Sequence, residues 1–310
     1  MSASSIPARC ADAARQRGDS IGGTAPRGTY WVLIEYRGGW PINGFDGLDL
    51  DPDVKTEVFQ AAQALRARIL LIRRHGKRAR EGSAHWAVMH LGGPGNLVQL
   101  WGTWTQDSDL LGIVAALPRC TENSASSPDT QTPLVLVCAH GQHDVCCAIR
   151  GRPVAAALNQ RWPENVWECT HVGGDRFAAN ILLVPDGIYY GNVDADSAVD
   201  VVDRYLSGQV VGEYLRGYTD HGPVEQAAIR AALNRNGSAG RFDYTIADIA
   251  SDGGSWTVRV RGRRPGQTDL DVGMRVSRSE PEYLTCRGLE KAVASRISVT
   301  RVRPVDAEAR

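Results

Sequence analysis

No run of about 18 apolar residues, the length a helix needs to cross a bilayer, occurs anywhere in the chain. The opening stretch MSASSIPARCADAARQRGDS also has no apolar core of signal-peptide length. The expectation is a cytoplasmic protein without a membrane partner. Charge of one sign is missing too: 35 Lys and Arg balance 35 Asp and Glu, so no bulk field draws the chain to nucleic acid. RVRGRRP, from Arg259, is locally basic, but it alternates with Val and reads as the solvated face of a strand. Absent as well are a CxxC pair, a GxSxG or Ser-His-Asp signal, a GxGxxG loop and any repeat at solenoid periods. A hydrolase is therefore disfavoured. Seven cysteines are an odd number, and a reducing compartment does not favour a disulfide framework.

What is present is an ordinary globular composition, 43% apolar and 23% charged, over 310 residues. That length suits two domains, or one large domain with an appendage. TYWVLIEY, RILLIRR, HWAVMHL and LVQLWGTW read as strands, the last two joined by a GGPGN turn. DPDVKTEVFQAAQALRA spaces Val54, Val58, Phe59, Ala62 and Leu65 at helical intervals behind an Asp-Pro start, and a short helix follows near Leu110. Residues 1–119 thus read as an α/β domain. CTENSASSPDTQTP, over 120–133, lacks apolar periodicity and reads as a linker.

Residues 134–240 begin a second α/β unit with strand LVLVC. A helix interrupted or started around Pro153 follows, then strand NVWECTHV, a loop GGDRFAAN entering a short helix, and a hairpin ILLVPDGIYYGNV. A helix capped by Asp196 or Ser197 and ended by Gly208 closes it. This order is that of a thioredoxin-like domain. From 241 to 310, FDYTIADI, WTVRVRG, DVGMRVSR and RISVTRV alternate apolar and polar residues, as half-buried antiparallel strands do, and form a small β-rich appendage.

The stretch LVLVCAHGQHDVCC packs Cys138, Cys146 and Cys147 with two histidines and an aspartate into the turn after a strand. In a thioredoxin-like unit the next loop leaves the same sheet edge, which brings Cys169, His171 and Asp175 to the same corner. Two thiolates from one loop and two donors from the other make a four-ligand constellation. Iron-sulfur clusters take cysteine ligands, and histidine can replace cysteine on one iron.

Through CAHGQHDVCC, and above all WECTHVGGDRFAANILLVPDGIYYG, the chain resembles the sucrase/ferredoxin-like family, a branch of the thioredoxin-like 2Fe-2S ferredoxins. The resemblance spans about Cys10 to Ala232, with GDSIGGTA and the RGGWP turn inside it. It implies a thioredoxin-like ferredoxin domain preceded by a related α/β domain, and electron transfer through a 2Fe-2S cluster. Cys138 and Cys147 would then hold one iron, and His171 would begin the loop that holds the other. Family members with two-Cys, two-His ligation carry a second histidine four residues on, where this chain has Asp175. The fourth ligand is thus Asp175, a hard oxygen donor, or one of the softer Cys169 and Cys146.

Each residue also has a plainer reading. Asp175 can cap the helix entered at RFAAN, and Cys138 can be a buried small side chain. His140 and His143 can donate to a sulfide or face solvent. Arg176 can tune a cluster or pair with a carboxylate, and Gly173 and Gly174 suit close approach of backbone to a cluster better than phosphate binding. Cys10, Cys120 and Cys286 have no partners in sequence and read as structural or exposed thiols.

The leading expectation is a soluble one-electron carrier with an unidentified redox partner, more an electron-transfer protein than a catalyst; a histidine ligand would make its potential depend on pH. The alternatives are a thiol-dependent redox protein and a structural zinc site without redox activity. The oligomeric state is not legible.

Overall fold

The computed structural model describes residues 9–76, 82–121 and 132–305. Most of the linker expected over 120–133 lies outside the described residues.

Helix α1 (Cys10–Arg17) ends at Gly18 in the left-handed region. The first half then runs β1 (Tyr30–Glu35), α2 (Pro52–Ala64), β2 (Arg68–Arg73), β3 (Ala84–Leu91), β4 (Leu97–Trp104) and α3 (Leu111–Arg119). Asp51 starts α2 by accepting from the Asp53 and Val54 amides, and Pro52 follows it where a missing N–H costs nothing. The second half repeats that order with β5 (Leu134–Cys138), α4 (Val145–Arg161), β6 (Val166–Cys169), β7 (Ile181–Val184), β8 (Ile188–Tyr190) and α5 (Ala195–Leu206). Strand β9 (Leu215–Tyr218) and α6 (Pro223–Asn236) complete it. A four-stranded antiparallel sheet follows, made of β10 (Tyr244–Asp252), β11 (Ser255–Gly262), β12 (Leu270–Arg278) and β13 (Ser295–Pro304).

The strands of both halves belong to one nine-stranded mixed sheet, ordered β4-β3-β1-β2-β6-β5-β7-β8-β9. In each half the first strand pairs in parallel with the second and antiparallel with the third, which pairs antiparallel with the fourth. The chain therefore carries a structural repeat that no sequence periodicity betrays. The halves join where β2 meets β6 antiparallel, with Ile72 opposite Cys169 and Arg73 opposite Glu168. The Arg73 guanidinium lies 2.9 Å from the Glu168 carboxylate across this seam.

The central strands are buried on both faces, which is why LVLVC and ILLV read as continuous apolar runs. In the C-terminal sheet, by contrast, Val258, Val260, Leu270, Val272 and Met274 share one core with Ala228, Ile229 and Ala232 of α6, while the opposite face is solvated.

Three local expectations are corrected. Helix α4 runs unbroken through Pro153, which forgoes one backbone bond, because Val154, Ala155 and Leu158 bury against the sheet and hold the helix together. The cap of α5 is Asp194, two residues before Asp196 and three before Ser197: it accepts from the Ser197 amide at 2.9 Å, and Ser197 returns the bond. GGDRFAAN enters only a 3-10 turn, Asp175–Phe177. Among the described residues no helix is long and apolar enough to cross a membrane.

Candidate metal centre

Cys138 ends β5 and Cys169 ends β6, in register with each other. Helix α4 crosses the end of β5 so closely that a Cβ on Gly151 would stand 2.0 Å from the Cys138 carbonyl oxygen. Cys147 lies one turn before Gly151, on the same face, so this approach brings the Cys147 thiol down onto Cys138. Asp144 caps the helix by accepting from the Cys146 amide at 2.8 Å. The positive end of α4 thus points at both cysteines of its first turn.

His171 stands two residues beyond β6. Its backbone N–H donates to His140 Nδ1 at 3.3 Å, so the neutral His140 ring carries its proton on Nε2 and donates it to the Pro41 carbonyl at 2.9 Å. Burial first of all pushes the His140 pKa down and keeps it neutral. His140 is therefore a strut between the RGGWP turn and the His171 backbone, with both nitrogens committed.

The donor atoms of Cys138, Cys147 and His171 lie within 4.8 Å of one another, and those of His143, His171 and Asp175 form an overlapping group. The Asp175 carboxylate lies 2.9 Å from His171 Nδ1 and accepts from the Cys147 thiol at 3.3 Å. The His143 ring stacks on His171 with centroids 3.8 Å apart, its Nε2 3.9 Å from Asp175. Cys138, Cys147 and Asp175 are buried. The histidine rings instead edge a cleft of about 600 Å³, whose other wall includes Asn43, Phe59 and Arg66 of the first half.

Without a metal these groups share protons among themselves. The hydrogen bond with Cys147 pulls the Cys138 thiol well below its ordinary pKa, against burial, and His171 adds to the effect. Burial pulls His171 down, but the Asp175 carboxylate and the Cys138 sulfur outweigh it and raise the imidazole to about 9. Burial likewise pushes Asp175 up, and His171 and Cys147 bring it below its ordinary range. The cluster thus brings two sulfurs, a histidine ring and a carboxylate together in a pocket closed to water on the sulfur side.

Asp175 does not cap the turn that follows it; Gly174 occupies that position. Cys169 is in the apolar core at the seam and outside the donor groups. Cys146 points away from Cys147, toward Cys10 and Cys286. This corrects the reading of Cys10 and Cys286 as partnerless, whereas Cys120 sits in the core of the first half. Arg176 pairs with Asp19 at 3.6 Å.

A buried cation that the sequence did not flag braces the loop. Arg216 of β9, 1% exposed, donates to the Gly173 carbonyl at 2.7 Å, to Asn180 Oδ1 at 2.9 Å and to the Thr24 carbonyl at 2.6 Å. Gly174, at φ +81°, leaves room for it, since a Cβ there would stand 2.5 Å from the guanidinium. The only signal was an arginine inside the short strand LRGY.

With this geometry in view, a family model described as sucrase/ferredoxin-like matches residues 23–217, a narrower span than the resemblance in sequence suggested. Two curated relatives are both called "Altered inheritance of mitochondria protein 32". The one from Meyerozyma guilliermondii is 30% identical over 103 residues, covering 30% of this chain and 36% of the relative. The one from Debaryomyces hansenii is 30% identical over 101 residues, covering 29% and 37%. The chain thus spans little more than a third of the length of these relatives. No solved structure matches it.

Proposed function

Since the chain belongs to the sucrase/ferredoxin-like family, we propose that it carries single electrons through a 2Fe-2S cluster held by Cys138, Cys147, His171 and Asp175. When bound, such a cluster supplies a reversible one-electron couple whose potential depends on its ligands and their hydrogen bonds. The observation that carries the reading is the convergence of two buried sulfurs with an imidazole and a carboxylate at the mouth of a cleft. Cys138 and Cys147 suit one iron; His171 and Asp175, from the next loop, suit the other. The element order of each half supports the thioredoxin-like reading of the fold.

The chain's own groups prepare the site. The amino end of α4 favours negative sulfur, His140 fixes the His171 backbone, and Arg216 holds the glycine loop from behind and places a buried positive charge near Cys138. Because the sulfurs are enclosed and the histidines edge the cleft, a protein partner would approach the His143 and His171 side. All seven cysteines are free, which suits a reducing compartment. The relatives' name concerns mitochondrial inheritance and specifies no reaction, so the reading rests on the donors.

One observation favours a second reading, a single zinc ion. Ligands at roughly 2.0–2.3 Å from a tetrahedral zinc stand about 3.3–3.8 Å apart, which suits donors within 4.8 Å of each other. Anaerobic purification separates the two. The cluster reading expects a red-brown protein with about two irons and two sulfides per chain, and an electron paramagnetic resonance signal on reduction. Cys138→Ser, Cys147→Ser and His171→Ala should each abolish the colour, and Asp175→Asn should shift or lose the signal. Colourless protein with zinc bound through these residues would reject the carrier.

A further inference from the structure

On the opposite side of the α4 amino terminus, three more thiols meet. Cys10 begins α1, Cys146 lies in the first turn of α4, and Cys286 is in the connection between β12 and β13. The Cys286 sulfur lies 3.4 Å from that of Cys10, 276 residues away, and 3.4 Å from that of Cys146. Asp144 completes the group, with both carboxylate oxygens 3.8 Å from the Cys10 sulfur and all four donors within 4.8 Å of one another. We propose that these residues form a second metal site, in which Cys10, Cys146 and Cys286 thiolates and the Asp144 carboxylate bind a thiophilic divalent cation of the zinc type.

The separations distinguish coordination from cross-linking. A disulfide requires about 2.05 Å between sulfurs, whereas two thiolates on one tetrahedral zinc stand roughly 3.8 Å apart. Three thiols also cannot pair off among themselves, so any disulfide would strand one of them.

Local donors favour negative sulfur at Cys286 and Cys146, while the hydrogen bond with Cys146, burial and the Asp144 charge oppose it at Cys10. The Cys10 N–H donates to the Cys286 sulfur at 3.4 Å, and Cys146 sits at the positive end of α4. Arg15, whose Nη1 is buried without a hydrogen-bond partner among the described residues, lies within electrostatic reach of Cys146. The carboxylate is held as metal-bound carboxylates are: it accepts from the Cys146 amide at 2.8 Å, the Cys286 amide at 2.7 Å and the Thr285 hydroxyl at 2.9 Å. Binding would release the thiol protons to solvent and involve no electron transfer. The cation would tie the start of the chain and the C-terminal sheet to the helix that presents Cys147, on the face away from the proposed cluster.

The test is metal content and cobalt binding in the full chain, with iron followed separately. Wild-type protein grown with zinc should carry about one zinc per chain beyond its iron. After chelation it should take up Co(II) with the visible bands of a tetrahedral thiolate site, and a Cys138→Ser/Cys147→Ser variant should still do so. Cys10→Ser and Cys286→Ser should each weaken Co(II) binding at least about a hundredfold, beyond the roughly 10- to 100-fold cost of losing an outer-shell partner. Iron content should be unchanged in both. Cys286 is exposed, so its variant folds whatever becomes of Cys10→Ser. Wild-type protein that takes up neither zinc nor Co(II), or Co(II) bands that persist in Cys286→Ser or vanish only with Cys138 and Cys147, would overturn the site.

Discussion

Arg216 shows how much one side chain can hold. Among the described residues it has no carboxylate partner, and its guanidinium instead satisfies the Gly173 and Thr24 carbonyls and Asn180. Removing it strands those acceptors away from water, each at about 1–3 kcal/mol. Arg216→Met should lower unfolding free energy by roughly 2–4 kcal/mol in urea denaturation. Arg216→Lys, which keeps the charge but loses the planar fork, should recover only part of that loss. An unchanged midpoint in both would show that the glycine loop stands without it. At this scale the sequence was most informative where residue chemistry is unusual: Cys138, Cys147 and His171 stood out. It was least informative where a role depends on contacts from afar, as for Arg216 on β9 or His140 reaching Pro41 across 99 residues.

Among the elements, the decisive contact is α4 over β5. Gly151 lies against the Cys138 carbonyl with no room for a methyl group, so Gly151→Ala must lift the helix or bend it. Overpacking of this kind costs about 1–3 kcal/mol. The variant should also lose bound metal, because Cys147 rides on the same face of α4. Stability and metal content equal to wild type would refute the coupling. Element types were largely legible from period and punctuation, as in α2 behind Asp51-Pro52 or the alternating β10 to β13. The misses have physical reasons. β9 is four residues long and includes Arg and Gly, too short for a period. Pro153 signals a break on its own, but burial of the following turn outweighs it.

For the whole molecule, the termini of the described chain are fastened by charge around Asp19, which lies 2.8 Å from Arg17, 2.9 Å from Arg296 of β13 and 3.6 Å from Arg176 beside the candidate centre. Burial alone would raise the Asp19 pKa, but hydrogen bonds from Arg17 and Arg296 carry it below its ordinary value. A depressed carboxylate contributes stability that is fully present above its unfolded pKa and is lost as pH falls through the folded one. Asp19→Asn should therefore cost roughly 1–3 kcal/mol near pH 7. The gap from wild type should close as pH drops below about 4. A gap constant from pH 7 to pH 3, measured by urea unfolding, would contradict the network. Little of this was visible in the sequence, since Arg176 and Arg296 come from segments far from Asp19 along the chain.

The antiparallel seam between β2 and β6 turns two like halves into a single slab, leaving neither strand as a bare edge on which another chain could pair. It also sets the cleft as a valley between unequal slopes, one bearing the histidines and the other only Asn43, Phe59, Arg66 and their neighbours. A visitor to that valley would have to fit both slopes at once, the histidines on one side and the Phe59 and Arg66 side chains on the other.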